Sequence, residues 1–507
     1  MNLRVKRIIL LLLAAVLIVA AGRLERSLNQ DRNALGLTRA TALKSAPPML
    51  AFTTVALGGF RGLISNFLWI RANDLQLDDK YFEAAQLADW ITELEPTYAQ
   101  VWAFQAWNMA WNISVKFKDF ADRWRWVERG IDLLRDDGLR YNPNSILLHQ
   151  QLSWIFQSKI GQNMDDANMY YKEQWAQDMV PFFGPEGTNV DLMLNPSDAA
   201  ARTNAVIFRD QFKMDPAFVK TVNQEYGPFD WRLPEAHAIY WAAQGLQMAA
   251  KNPGKVKQGD LIQLRRSVYQ SMLQAFHHGR IIEDPLTHAY ALGPNLDIIP
   301  QVNKAYLQMM KEENNSSMRD NIATAHRNFL RDAVYFLYVN NRMSEAKQWF
   351  KYLGDEYPDK PIIEDQPNSL PKNVTLDQYA VAVVQSDIGG GSQERVTSAI
   401  QGLLTQAYYN LAIGQDDRYE NFKRLAARVY DSYTSRISKY GNQKRIPLPP
   451  FDDLNKTVLN QLLDPQRGLP YAARAVLRTQ LGLPTETAPA SAGTNAAENV
   501  STNSLAK

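Results

Sequence analysis

The 507-residue chain contains no cysteine. Disulfides, thiol nucleophiles, thiolate zinc sites, iron–sulfur clusters and lipoprotein-type acylation are excluded with it. Net charge is nearly absent as well: 55 basic residues against 53 acidic ones leave +2. A nucleic-acid surface shows as a strong basic excess or a clustered basic stripe, so nucleic acid is not an expected partner. The stretch Trp124-Arg125-Trp126 is too short to reverse that. The usual signatures of catalysis are missing too. None of the six histidines (His149, His237, His277, His278, His288, His326) belongs to an HExxH motif, and no GxSxG elbow occurs. His277 and His278 are adjacent and point about 100° apart on a helix, which is poor for one metal. Glu283, Asp284 and His288 add only a loose donor set, set against ordinary capping and surface roles. "GGGSQER" (389–395) lacks the Walker lysine and a preceding strand, and reads as a flexible linker. Glu235 and His237 are an acid and a base by type, but helix positions two apart do not share a face. Placement at a helix N-terminus, beside the positive end of the dipole, explains Glu235 better. No catalytic residue, metal or cofactor is expected.

Long apolar runs are scarce, and the one present is informative. "IILLLLAAVLIVAA" (8–21) follows Arg4, Lys6 and Arg7. Charge before the run places the N-terminus inside and the remainder outside a membrane. The run lies between the lengths of a signal-peptide core and a spanning helix. Two readings stay open: an uncleaved signal anchor (1–22), with flanking arginines snorkelling to the interface, or a signal peptide cleaved after Val19-Ala20-Ala21. Both put the bulk of the chain outside the cytoplasmic membrane of a bacterium, a location with which the lack of cysteine is compatible.

Strand-type alternation is also scarce and no hairpin signal stands out, so the expected class is all-α. The expected order is a stalk (23–48), an N-terminal helical domain (49–250), a linker (251–260), a C-terminal helical domain (261–483) and a disordered tail (484–507). In "GGFRGLISNFLWIRANDL" (58–75), Phe60, Leu63, Ile64, Phe67 and Leu68 form an apolar stripe on a helix. Arg71 and the amides argue against a second membrane span there.

Repetition is present. "EAAQLADWITELEP" (83–96) and "EAKQWFKYLGDEYP" (345–358) align, with Ala84, Ala88 and Pro96 spaced like Ala346, Phe350 and Pro358. "GIDLLRDDGLRYNP" (130–143) is a third such ending with one residue inserted. Each is an amphipathic helix stopped by proline. Thr97 and Gln100 have the spacing of a capping box for the next helix.

This pattern resembles the tetratricopeptide repeat, a helix–turn–helix unit of about 34 residues. The likeness is good for 65–96 and 327–358, partial for 99–143 and 144–180, and weaker for 396–440. The Leu-Gly pair of the family's first helix is replaced by Arg71-Ala72 and Ala333-Val334. The resemblance implies an irregular α-solenoid of such pairs. It also implies a groove lined by first helices: Asn66, Trp69 and Asn73, then Gln100, Phe104, Trp107 and Trp111, and in the later unit Asn328, Arg331, Tyr335 and Tyr338. The competing reading packs these aromatics between helices. Lysine and asparagine that bind C-terminal carboxylates in one subfamily are replaced by Gln100 and Phe104, so that activity is not implied. Eleven of the twelve tryptophans lie before residue 242. The expected function is a membrane-anchored scaffold for an envelope protein or peptide segment. An all-α enzyme on envelope polymers and a carrier of a small apolar ligand are the alternatives.

Overall fold

The computed structural model describes residues 61–251, 256–283, 290–363, 366–387, 393–440 and 448–486, with residue 253 and scattered helical positions between 17 and 31. Apart from those positions, the expected anchor and stalk lie outside the described residues, as does the tail beyond 486. No described helix is long and apolar enough to cross a membrane. The chain divides into two compact units, 1–275 and 276–507.

The first unit contains α1 (Arg61–Leu77), α2 (Tyr81–Leu94), α3 (Ala99–Trp107), α4 (Phe120–Asp132), α5 (Ile146–Trp154), α6 (Asn168–Phe183), α7 (Ala199–Asp210), α8 (Pro216–Tyr226) and α9 (Pro234–Lys251). Helix α10 (Gln258–His278) runs across the division. Neighbours in sequence pack in pairs, α1 on α2 and α2 on α3, while α5 packs on both α3 and α9. Helices α3, α4 and α5 each continue into a six-residue π-helical turn, at Asn108–Ile113, Leu133–Gly138 and Ile155–Ile160.

The second unit opens with β1 (Arg280–Glu283) and β2 (Tyr290–Gly293), paired antiparallel. This ladder departs from the expectation of helix throughout. Its strands are four residues each, too short to display alternation. The helices that follow are α11 (Ile299–Glu312), α12 (Ser316–Val339), α13 (Met343–Glu356), α14 (Leu376–Asp387), α15 (Gln393–Ala412), α16 (Asp416–Tyr440), α17 (Phe451–Leu462) and α18 (Tyr471–Gln480). Helix α12 packs on α11 and α13, and α15 on α16 to α18. The fold is all-α apart from the ladder.

The three proline endings share one backbone conformation. Glu95 has φ −128° and ψ 64°, Asn142 −129° and 58°, Tyr357 −130° and 57°. The following proline disfavours helical geometry in the residue before it, so each helix stops at the same place. The joints within the pairs repeat as well. Between α1 and α2, Lys80 N donates to Leu75 O at 2.8 Å and Asp79 N to Gln76 O at 3.2 Å. Between α12 and α13, Arg342 N donates to Leu337 O at 2.9 Å and Asn341 N to Tyr338 O at 3.2 Å. Between α15 and α16, Gln415 N donates to Asn410 O at 2.8 Å and Gly414 N to Leu411 O at 3.1 Å. All three are Schellman turns with a left-handed residue after the helix: Asp79 (φ 60°), Asn341 (φ 59°) and Gly414 (φ 77°).

Two local expectations are corrected. Helix α1 exposes Leu63, Phe67 and Ile70 and buries Ser65, Ala72 and Leu75. Its partner α2 buries Ala84, Ala85 and Ala88. Small residues let the two helices close on each other; Leu68 and Trp69 pack against Ala88 and Ile91, while Leu63, Phe67 and Ile70 stay exposed. The Thr97–Gln100 capping box is not formed. Helix α3 begins at Ala99 with no side-chain cap at Tyr98. The entry is pinned instead by the Pro96 carbonyl, which accepts from Trp102 Nε1 at 2.9 Å and Asn142 Nδ2 at 2.8 Å.

Candidate functional site

Helix α3 and its π-helical turn carry most of the groove residues of the first unit. Trp69 of α1 lies edge-on to Phe104, with ring centroids 4.9 Å apart, and 6.2 Å from Tyr98. Both Trp69 and Phe104 lean on the buried cluster of Ala88, Ile91 and Val101. One turn further, Trp107 and Trp111 are helical neighbours that share a face. Their planes are 17° apart with centroids at 6.3 Å. Trp111 in turn stacks on Trp154 of α5 at 4.5 Å, again at 17°. The result is a stack of three indoles. Trp107 and Trp111 are half-buried and Trp154 is 37% exposed. Asn66 and Gln100 are exposed and Asn73 is half-buried.

The π-helical turns bracket this stack. Trp111 lies within the first, and Trp154 directly precedes the turn at Ile155–Ile160. π turns recur at functional positions because the extra residue re-aims the side chains that follow. Buried side-chain amides on the same segments are bonded: Asn108 Nδ2 donates to Tyr81 O at 3.1 Å, and Gln157 Nε2 to Gln270 Oε1 at 2.9 Å. Trp154 was not among the groove residues read from the sequence. A tryptophan on the helix after "RYNP" was the available signal.

The later set falls in the second unit, on α12. Asn328 is exposed, while Arg331 and Tyr335 are half-buried. Tyr338 is fully buried, and its hydroxyl donates to Asp377 Oδ1 at 2.7 Å. Its carbonyl accepts from Asn421 Nδ2 at 2.5 Å. These four residues therefore differ widely in access, and Tyr338 is a packing residue of this helix.

The interior of the first unit is unusually charged. Lys159 Nζ lies 2.5 Å from Asp165 Oδ2, which also accepts from Tyr171 OH at 3.1 Å. Oδ1 of the same carboxylate accepts from Ala167 N at 2.9 Å and Arg123 Nη1 at 3.1 Å. Burial acts to raise the Asp165 carboxyl, but the Lys159 ammonium and the Ala167 N–H overcome it and hold it at about 2. Asp165 is thus a clamp between the third π turn, α4 and α6. A second clamp joins two loops. Arg232 embraces Asp230 through Nε at 2.8 Å and Nη2 at 2.6 Å, and also donates to Pro185 O.

Glu235 does lie in the first turn of α9, as expected, but it is fully buried. Burial outweighs the hydrogen bond from its own backbone N–H and the attraction of Lys172, and pushes its carboxyl up to about 7. His237 is enclosed by Phe156, Trp175 and Trp231, with ring centroids 5.3, 4.9 and 5.8 Å away. Its Nε2 donates to Trp231 O at 2.8 Å, and burial pulls the imidazole down to about 4. The two groups are interior polar residues and do not line an open cleft. Among the described residues no group of three or more His, Asp or Glu side chains is placed to hold a metal ion. Asp284 and His288 lie outside the described residues, as do 389–392 of the glycine-rich segment.

Comparison of the chain with family models and with curated proteins finds no match to either. The functional reading therefore rests on the geometry above and on the resemblance in the helix–turn–helix pairs.

Proposed function

We propose that the chain is a membrane-anchored, tetratricopeptide-like scaffold, an irregular α-solenoid that docks a partner protein or peptide segment on the outer side of a bacterial cytoplasmic membrane. The apolar run at 8–21 with its basic leader supports the anchor. The repeated Schellman joints and proline endings support the repeat architecture. The observation that carries the docking role is the Trp107–Trp111–Trp154 stack, partly open to solvent. Rigid, partly exposed aromatics lose little entropy on binding and supply most of the energy at interface hot spots. A tether to the membrane raises the effective concentration of such a surface toward membrane partners, so modest intrinsic affinity suffices. Partners in envelope assembly, export or polymer secretion fit this arrangement.

The test is co-purification of the full-length protein from native membranes after mild crosslinking. The scaffold role predicts the same few envelope proteins in each preparation, and their loss when Trp107, Trp111 and Trp154 are replaced by alanine in a chain that still unfolds cooperatively. Recovery of no specific partner by the unaltered chain contradicts the role. Partners retained by the triple variant would place docking elsewhere.

A further inference from the structure

Helix α1 opens the series of paired helices in the first unit, and the side it turns away from its buried residues is apolar. Ser65, Ala72 and Leu75 are buried, whereas Leu63, Phe67, Ile70 and Leu77 are 64, 70, 61 and 84% exposed. Those four, with exposed Asp74 between Ile70 and Leu77, recur at alternating steps of four and three and form one seam along the helix. The end of a stack of helix pairs normally presents a polar face to water. At roughly 200 Å² per large side chain, the seam leaves about 500 Å² of apolar surface uncovered, the size of the largest patch on a typical monomer.

The residues beside the seam select its occupant. Asn66 and Asn73 border it on one side, Ile64, Arg71 and Asp78 on the other. A bilayer surface is a poor match. A carboxylate lies inside the seam, and the flanks lack the array of lysines and arginines that holds an interfacial helix to lipid headgroups. A second copy of the same helix matches in one direction only. Parallel copies set Asp74 against its like in the core. Antiparallel copies related by a two-fold axis between Phe67 and Ile70 set Phe67 of each on Ile70 of the other. Leu63 of each then lies beside Asp74 of the other at the ends of the contact. At 1.5 Å per residue the two Asp74 carboxylates are about 16 Å apart along the axis, beyond the screening length of roughly 8 Å in physiological salt. Asn66 of each faces Asn73 of the other, and amides both donate and accept, so the pair is self-complementary. Arg71 passes beside the second copy's Ile64, with its head group reaching water. The two helix dipoles are opposed. Two seams together cover about 1,000 Å², the lower bound of a specific interface.

We propose that the exposed seam of α1 pairs antiparallel with the same seam of a second copy, making the chain a two-fold dimer. Such a contact uses one patch twice and closes on itself. The dimer carries two indole stacks, so a partner with two matching segments is held by avidity. That consequence rests on the docking role proposed above; the dimer does not.

The lack of cysteine suits the chain to thiol mapping. Two full-length variants, Leu63→Cys and Asp74→Cys, both at exposed positions, are purified in mild detergent and oxidised singly and as an equal mixture. The proposal expects a disulfide-linked dimer in the mixture, at least tenfold more than in either variant alone, because each position meets the other and lies far from its own copy. Light scattering of the unaltered chain should give twice the chain mass at micromolar concentration. Ile70→Asp places two unpaired carboxylates in the seam and should weaken the dimer about a hundredfold, with helix content by circular dichroism unchanged. A monomer in both detergent and vesicles, a dimer indifferent to Ile70→Asp, or disulfides formed as readily by either cysteine variant alone overturns the proposal. So does a seam shielded within a monomer. It would show as an environment-sensitive fluorophore on Ile70→Cys with the same blue-shifted emission at nanomolar as at micromolar protein, and would assign the face to residues 49–57 of the same chain or to lipid.

Discussion

Glu235 offers a direct reading of the interior of the first unit. Its carboxyl is fully buried and raised from 4.5 to about 7. A raised folded-state value means the native protein holds the proton more tightly than the unfolded chain. The associated stability is present below pH 4.5 and is lost as pH rises through 7. At about 1.4 kcal/mol per unit, the full loss is about 3 kcal/mol. Lys172, attracted to Glu235, and Asp230, repelled by it, both contribute to that value. Glu235→Gln keeps the shape and removes the ionisation. The stability of the variant relative to the unaltered protein should therefore rise by about 3 kcal/mol between pH 4 and pH 8. For a unit of this size that corresponds to a Tm difference growing by roughly 6–12 °C across the range. Intrinsic tryptophan fluorescence suits the measurement, since all tryptophans but Trp349 lie in the first unit. A Tm difference that does not change with pH, or that shrinks toward pH 8, refutes the reasoning.

Other consequences are testable on the same chain. His237, lowered to about 4 by burial, keeps its contribution above pH 6.5 and loses it as pH falls through 4; His237→Gln should flatten the acid limb of the Tm profile. Asp165→Asn leaves the Lys159 ammonium buried without its counter-charge and should cost about 3–5 kcal/mol in denaturant unfolding. Gly187 has φ 69°, and a Cβ there would lie 1.9 Å from Asp230 Oδ1, so Gly187→Ala should cost roughly 2–4 kcal/mol in the same assay. Asn341→Ala puts an ordinary side chain in a left-handed position, at about 1–2 kcal/mol, whereas Asn341→Gly should be neutral or stabilising; hydrogen exchange across α12 and α13 separates the two.

What the sequence revealed and concealed follows from the range of each interaction. The helix class and the endings at Pro96, Pro143 and Pro358 were legible because proline acts on its immediate neighbour. The turns at Asp79 and Asn341 were equally local, and were missed because neither carries the usual glycine. The face of α1 was misread because a hydrophobic stripe identifies what is apolar, whereas helix contact selected small residues at Ser65 and Ala72. The charged clamps were not readable: Arg123 reaches Asp165 across 42 residues, a pairing that only the packed structure creates. The indole stack was half legible. Trp107 and Trp111 share a helix face at a recognisable spacing, but Trp154 joins them from another helix. The contacts of Asp377 left no trace, because Arg428 and Tyr338 arrive from distant helices.

The central claim is that the indole stack is a docking surface. The most direct measurement places a photo-crosslinking amino acid at Trp154 in the full-length protein, in living cells, with exposed Met164 as the control position. The account predicts discrete crosslinked species from position 154, absent at 164 and absent when Trp107 and Trp111 are replaced by alanine. Identical patterns from both positions, or no crosslink at 154 above background, would contradict it.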